Sequence, residues 1–172
     1  MSESEFSRMV RRKPLPGAPV EIEASEAERA ALAKRFGIGA IERLRAVLDL
    51  SEKGTAVLAE GTLSADIVQA CAVSGEDFAH TIEEELALRF VPAERPADEP
   101  DIEIELDTGD LDEIEYEGEN FDLGEAVAQS LGLAIDPYAE GPDADAARED
   151  AGIASDDAPS GPLAEALRGL KH

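Results

Sequence analysis

Cys71 and His80 are the only thiol and the only internal imidazole in this chain. Nucleophilic catalysis is the first chemistry such a pair could do, with the imidazole taking the proton of the thiol. The two fall on opposite arms of a run read below as a β-hairpin. No third orienting group and no oxyanion-hole signature accompanies them. Free cysteine is among the most buried residue types, so Cys71 is read as a structural residue on the dry face of a sheet and His80 as a residue near a turn. A Cys-dependent enzyme remains the remote alternative, and no catalytic residue is assigned.

Residues 107–119, Asp-Thr-Gly-Asp-Leu-Asp-Glu-Ile-Glu-Tyr-Glu-Gly-Glu, are dense in the hard oxygen ligands that calcium and magnesium take. No register of them gives the calcium loop of an EF-hand. Counting from Asp107, the third position is Gly109 and the sixth Asp112; counting from Asp110, the sixth is Glu115 where glycine is needed. A solvated charged face is the better reading, and neither a metal nor another cofactor is expected. A phosphate-cradling glycine loop and a zinc-type Cys/His cluster are both missing from the sequence. The one basic knot is Arg8, Arg11, Arg12 and Lys13, four charges in an N-terminal arm that offer an alternative function as a direct RNA-binding module.

Charge distribution points elsewhere. Residues 92–150 hold two basic side chains against twenty-one acidic ones, a net of −19 out of the −25 of the 172-residue chain. A field of that sign repels phosphate backbones and anionic lipid and draws in basic partners at rates that fall with salt. The expected partner is therefore a basic protein rather than bare nucleic acid or a membrane. Asp110, Asp112, Glu113, Glu115 and Glu117 are the candidate contacts. No apolar run reaches the ~20 residues of a membrane span, and the charged start lacks the pattern of a signal peptide. With one cysteine and hence no intrachain disulfide, the expected location is cytoplasmic.

The elements that must position these residues can be read from periodicity. Ser25 and Glu28 form a capping-box pattern, and Ala27, Ala30, Leu32 and Phe36 supply an apolar stripe that Gly37 stops, which predicts a helix over 26–36. The period then changes to two. Leu44, Ala46, Leu48 and Leu50 form one strand; Leu63, Ala65, Ile67, Cys71 and Val73 a second; Ile82, Leu86, Leu88 and Phe90 a third, after a turn at 74–77. Three strands joined by short turns make an antiparallel sheet, with the helix covering its dry face.

Ile102, Ile104 and Leu106 alternate with acids, so a strand is expected there too. Asp122 with Glu125 caps a further helix whose stripe is Leu123, Val127, Ser130, Leu131 and Ala134, stopped by Asp136 and Pro137. The predicted organisation is an N-terminal arm and first strand at 1–24, and one α+β domain at 25–137 that includes an acidic segment at 98–119. A flexible linker follows at 138–160, too poor in apolar residues to offset ordering entropy. The chain then closes on an amphipathic helix at 161–172. Its stripe, Leu163, Leu167 and Leu170, opens after Pro162 and has the form of a docking peptide.

Four stretches in order resemble the YceD family, the bacterial large ribosomal RNA subunit accumulation proteins. They are Phe6-Ser7-Arg8; the Gln-Ala-Cys-Ala-Val-Ser run at 69–74 with the acidic strand ending Leu88-Arg89-Phe90; the segment 120–139, with its Asp-Leu-Gly-Glu helix start and Asp-Pro-Tyr end; and the terminal Gly-Pro-Leu-Ala-Glu-Ala-Leu-Arg-Gly-Leu-Lys-His. Gln69 before Cys71 is similar to the alphaproteobacterial form. Many relatives carry a second cysteine three residues after the first, where this chain has Ser74. The resemblance implies a non-enzymatic ribosome biogenesis factor needed for large-subunit ribosomal RNA. Its expected mode of action is to bind a basic ribosomal protein or a large-subunit precursor through the acidic surface.

Overall fold

In the computed structural model of the chain, the structure describes residues 4–93 and 112–153, together with Ala166, Gly169 and Leu170. The chain forms two compact units, one made of the residues up to Val68 with Ala79–Asp136, the other of Gln69–Phe78 with the residues from Pro137 on. The first unit has the expected α+β class.

Its elements are β1 (Met9–Arg11), β2 (Val20–Glu23), α1 (Glu26–Phe36), β3 (Ala40–Lys53), β4 (Ala56–Ala70), β5 (Asp77–Pro92), β6 (Asp112–Tyr116), β7 (Asn120–Asp122) and α2 (Leu123–Ala134). Strands β2-β3-β4-β5-β6 form one sheet in that order, and β1 with β7 forms a two-stranded ribbon. The β3–β4 hairpin turns through Gly54, whose φ of 61° suits a two-residue turn. Leu44, Ala46, Leu48, Leu63, Ala65, Ile67, Ile82, Leu86, Leu88 and Phe90 all enter the core, so the period-two reading identified the dry face of the sheet, but Cys71 and Val73, read into the second strand, lie past its end at Ala70. The six-residue connection between β4 and β5 permits only antiparallel pairing. Strand β6, by contrast, pairs with β5 in parallel, Leu88 opposite Asp112 and Pro92 opposite Tyr116. The sheet is thus mixed rather than wholly antiparallel. The strand expected at 102–106 lies outside the described residues.

Gly61 stands opposite Leu48 within the β3–β4 hairpin. A Cβ there would sit 1.9 Å from the carbonyl oxygen of Val47, so β3 and β4 approach more closely at this point than any side chain allows.

Helix α1 carries the predicted capping box: Ser25 Oγ accepts from the Glu28 N–H, and Glu28 accepts from the Ser25 N–H at 2.8 Å. Gly37 closes the helix in the left-handed region at φ 67°. Its buried residues are Leu32 and Ala33, with Phe36 partly buried, while Ala27 and Ala30 face solvent. The expected stripe was therefore rotated by about one position. Helix α2 buries Leu123, Ala126, Val127, Ala128 and Leu131, and Asp122 caps it by accepting from the Glu125 N–H at 3.1 Å.

The N-terminal arm is a docked part of this unit. Phe6 is fully buried, β1 pairs with β7, and Leu123 N–H donates to the Arg8 carbonyl at 3.0 Å. A fully buried phenylalanine contributes roughly 1.5–3 kcal/mol, which offsets the ordering of several polar neighbours. Gly124 permits the approach, because a Cβ there would lie 2.7 Å from both the Arg8 nitrogen and the Phe6 oxygen.

The second unit contains the loop after β4 and a helix, α3 (Ala144–Asp150), inside the stretch 138–160 that was expected to be a flexible linker. What composition did not show is local pairing. Arg148 bridges Glu140 and Asp145, Ala144 is buried, and Gly141 gives room to the Phe78 ring. Among the described residues no helix is long and apolar enough to cross a membrane.

Candidate functional site

The first unit places β6, the β1–β7 ribbon and the first turns of α2 around a surface cavity of about 330 Å³. Alternation along β6 sets its chemistry. Ile114 and Tyr116 face inward, while Asp112, Glu113, Glu115 and Glu117 stand exposed on the strand and just past it. The apolar wall comprises Phe90, Ile114, Tyr116, Phe121, Ala126 and the exposed Met9. Phe90 and Phe121 stack with ring centroids 4.5 Å apart, and Tyr116 lies 5.9 Å from Phe121. Glu115, Glu117, Asp122 and Glu125 give the rim its charge.

Two of those carboxylates are already engaged. Asp122 caps α2 and also accepts from the Arg8 N–H at 2.8 Å and from Ser7 Oγ at 2.7 Å. Glu125 accepts from Arg35 at 2.9 Å and from Ser4 at 2.5 Å. Burial pushes the Glu125 carboxyl up, but the hydrogen bonds from Arg35, Ser4 and Gln129 together outweigh it and leave it below the usual carboxylate range. The side-chain carboxylates of Glu115 and Glu117 accept no hydrogen bond from the described residues. They remain available to a cation from outside.

The members of the basic knot differ in how far they are engaged within the fold. The Arg8 guanidinium donates to both carboxylate oxygens of Glu28, at 2.7 and 2.8 Å, and lies 4.6 Å from the Phe6 ring centroid. That bidentate pair holds Glu28 down at about 2, the hydrogen bond from Arg8 being the largest cause. Arg12 donates its backbone N–H to Glu119 and has a buried Nε, which leaves Arg11 and Lys13 as the exposed members.

Cys71 is buried as expected, but it opens the loop after β4 instead of continuing the strand. Its sulfur accepts from the N–H groups of Val73 and Ser74 at 3.4 Å each. The side chain of Ser74, then its backbone and that of Gly141, lower the thiol to about 7 against the opposing effect of burial. Cys71 belongs to the second unit and His80 to the first. Ser74→Ala is expected to return the Cys71 titration toward the ordinary ~8.5, measured as the pH midpoint of iodoacetamide alkylation followed by mass spectrometry. An unmoved midpoint would show that the backbone donors alone set it.

Among the described residues no group of three or more His, Cys, Asp or Glu is arranged to hold a metal ion. Of the other candidate residues, Asp110, Leu163 and Leu167 lie outside the described residues, and Leu170 is 78% exposed. Sequence reasoning missed the aromatic wall. Its available signal was Ile114 and Tyr116 alternating with Glu113 and Glu115 ahead of Phe121.

Residues 59–165 match the family model described as large ribosomal RNA subunit accumulation protein YceD. No curated protein and no solved structure matches the chain.

Proposed function

Because this chain belongs to the YceD family of large ribosomal RNA subunit accumulation proteins, we propose that it acts in that process as a non-enzymatic binding factor, its acidic surface holding a basic ribosomal protein or a large-subunit assembly intermediate. The family carries the coarse function, involvement in accumulation of the large ribosomal RNA. The binding mode rests on one observation, the concentration of a net −19 in residues 92–150 together with the exposed row Asp112, Glu113, Glu115 and Glu117 on and beside β6.

The physical logic is charge complementarity. Ribosomal proteins that clamp ribosomal RNA must be strongly basic, and before they reach it their charge attracts any polyanion. A protein polyanion can shield such a chain and then release it to the denser charge of RNA. The fold keeps its own cations from cancelling the field. Arg45 is paired with Glu21 at 2.8 Å and Arg43 with Asp66 at 3.1 Å, both away from β6, while Arg89 reaches the row only at Glu113, at 3.3 Å. The terminal stripe Leu163, Leu167 and Leu170 adds an apolar contact in this reading.

The test is co-purification of tagged protein with large-subunit proteins at two ionic strengths, roughly 0.1 M and 1 M, between which the Debye length falls from about 10 to about 3 Å. Recovery is expected to collapse at the higher salt. Neutralising Asp110, Asp112, Glu113, Glu115 and Glu117 together to Asn or Gln should reduce recovery at low salt while the unfolding midpoint stays unchanged. Recovery that ignores both salt and these substitutions would sink the acidic-surface reading.

A further inference from the structure

From the cavity beside β6 we infer a specific anchor site: it takes one large apolar side chain from a lysine- or arginine-rich segment of the partner protein, whose flanking cations lie on the carboxylate rim. This rests on the acidic-surface reading and adds to it a place, a side-chain class and a hydrogen bond.

Three observations converge. The cavity is walled mostly by apolar surface, and Met9 stands 60% exposed at its edge. Its volume, about 330 Å³, is at the small end of the roughly 300–1,000 Å³ typical of small-molecule pockets, a scale suited to an anchor residue. Its rim holds Glu115 and Glu117, which have no cation among the described residues, so an apolar segment free of charge would leave that negative field unanswered. The third observation is Tyr116. It lines the cavity and is 7% exposed, yet its hydroxyl has no hydrogen-bond partner among the described residues. An orphaned buried hydroxyl is costly to keep. A partner segment brings the missing group: as it docks, a turn of the Tyr116 ring that uncovers the hydroxyl lets the backbone carbonyl of the anchor residue accept from it.

Tyr116→Phe separates this role from a structural one. In the free protein the substitution removes an unpaired polar atom from a buried place, so the unfolding midpoint should hold or rise. If the hydroxyl serves a partner, binding should weaken at the same time, by roughly three- to tenfold for one hydrogen bond.

The probe is a fluorescein-labelled 15-residue peptide of lysine, arginine and serine with one central leucine, compared by anisotropy with its alanine-centred and its glutamate-rich counterparts. The leucine peptide should bind the full-length protein more tightly than the alanine one, and the glutamate-rich one should not bind. Tyr116→Phe should weaken the leucine peptide without lowering the midpoint, and Gln129→Trp, on the exposed rim of α2, should block it. Equal affinity for leucine and alanine peptides, or indifference to both substitutions, would overturn the anchor site. If binding still fell with salt and with Glu115→Gln/Glu117→Gln, the acidic-surface reading would survive that failure. Displacement of the peptide by Gln129→Trp-sensitive binding of a single-stranded RNA oligonucleotide would assign the site to a different class of ligand and overturn the proposal.

Discussion

Gly61→Ala is expected to destabilise the first unit by about 3–5 kcal/mol, a large share of the roughly 5–15 kcal/mol that holds a domain together. The added methyl would meet the Val47 carbonyl oxygen at 1.9 Å and the Val47 carbon and Leu48 Cα at 2.9 Å. These are backbone atoms in the centre of β3, so no rotamer change relieves the clash. The two strands must separate, and with them the contacts of the fully buried Leu48, Val57 and Leu63 loosen. Gly17→Ala is the control, because nothing lies within 4 Å of its Cβ position; it should stay within about 0.5 kcal/mol of the parent. Urea unfolding measures both, as a lowered midpoint at constant slope. A Gly61→Ala chain as stable as Gly17→Ala would contradict the close approach of β3 and β4.

Deleting the gene is expected to lower mature large-subunit ribosomal RNA relative to small-subunit RNA. The expectation joins family membership over residues 59–165 to the electrostatics. On the proposed reading, loss of the polyanion exposes a basic large-subunit protein to the non-specific RNA contacts that its own charge favours. Large-subunit assembly should then stall and its unassembled RNA be degraded. The family description concerns the large subunit alone, so the ratio is expected to move rather than the total alone. Quantifying both mature RNAs from deletion and parent strains at the same growth rate checks this. An unaltered ratio would defeat the functional assignment itself, whatever the acidic surface binds in vitro.

Much of this framework could be read from local patterns. Helix α1 was legible because its start, Ser25 with Glu28, and its stop, Gly37, are set by backbone hydrogen bonds that few residue types can make. Strands β3 to β5 were legible because one face is dry, which forces a period of two. The elements that build the candidate site were not. Strands β1 and β7 have three residues each, too few for a period, and they pair across more than 100 residues of sequence. The burial of Phe6 depends on that pairing, so an arm with four cations looked solvated. In β6 the alternation of Ile114 and Tyr116 with Glu113 and Glu115 was present, but net charge dominated the reading of that stretch. Gly61 was a further signal unused, since an isolated glycine in a strand marks a close approach of another backbone.

The most direct measurement is the ratio of mature large- to small-subunit ribosomal RNA in the deletion strain complemented by the chain neutralised at Asp110, Asp112, Glu113, Glu115 and Glu117, with protein abundance matched by immunoblot to the parent complement. The acidic-surface account predicts a ratio close to that of the uncomplemented deletion, from a protein that is folded and abundant. Full restoration of the ratio by the neutralised chain would contradict it.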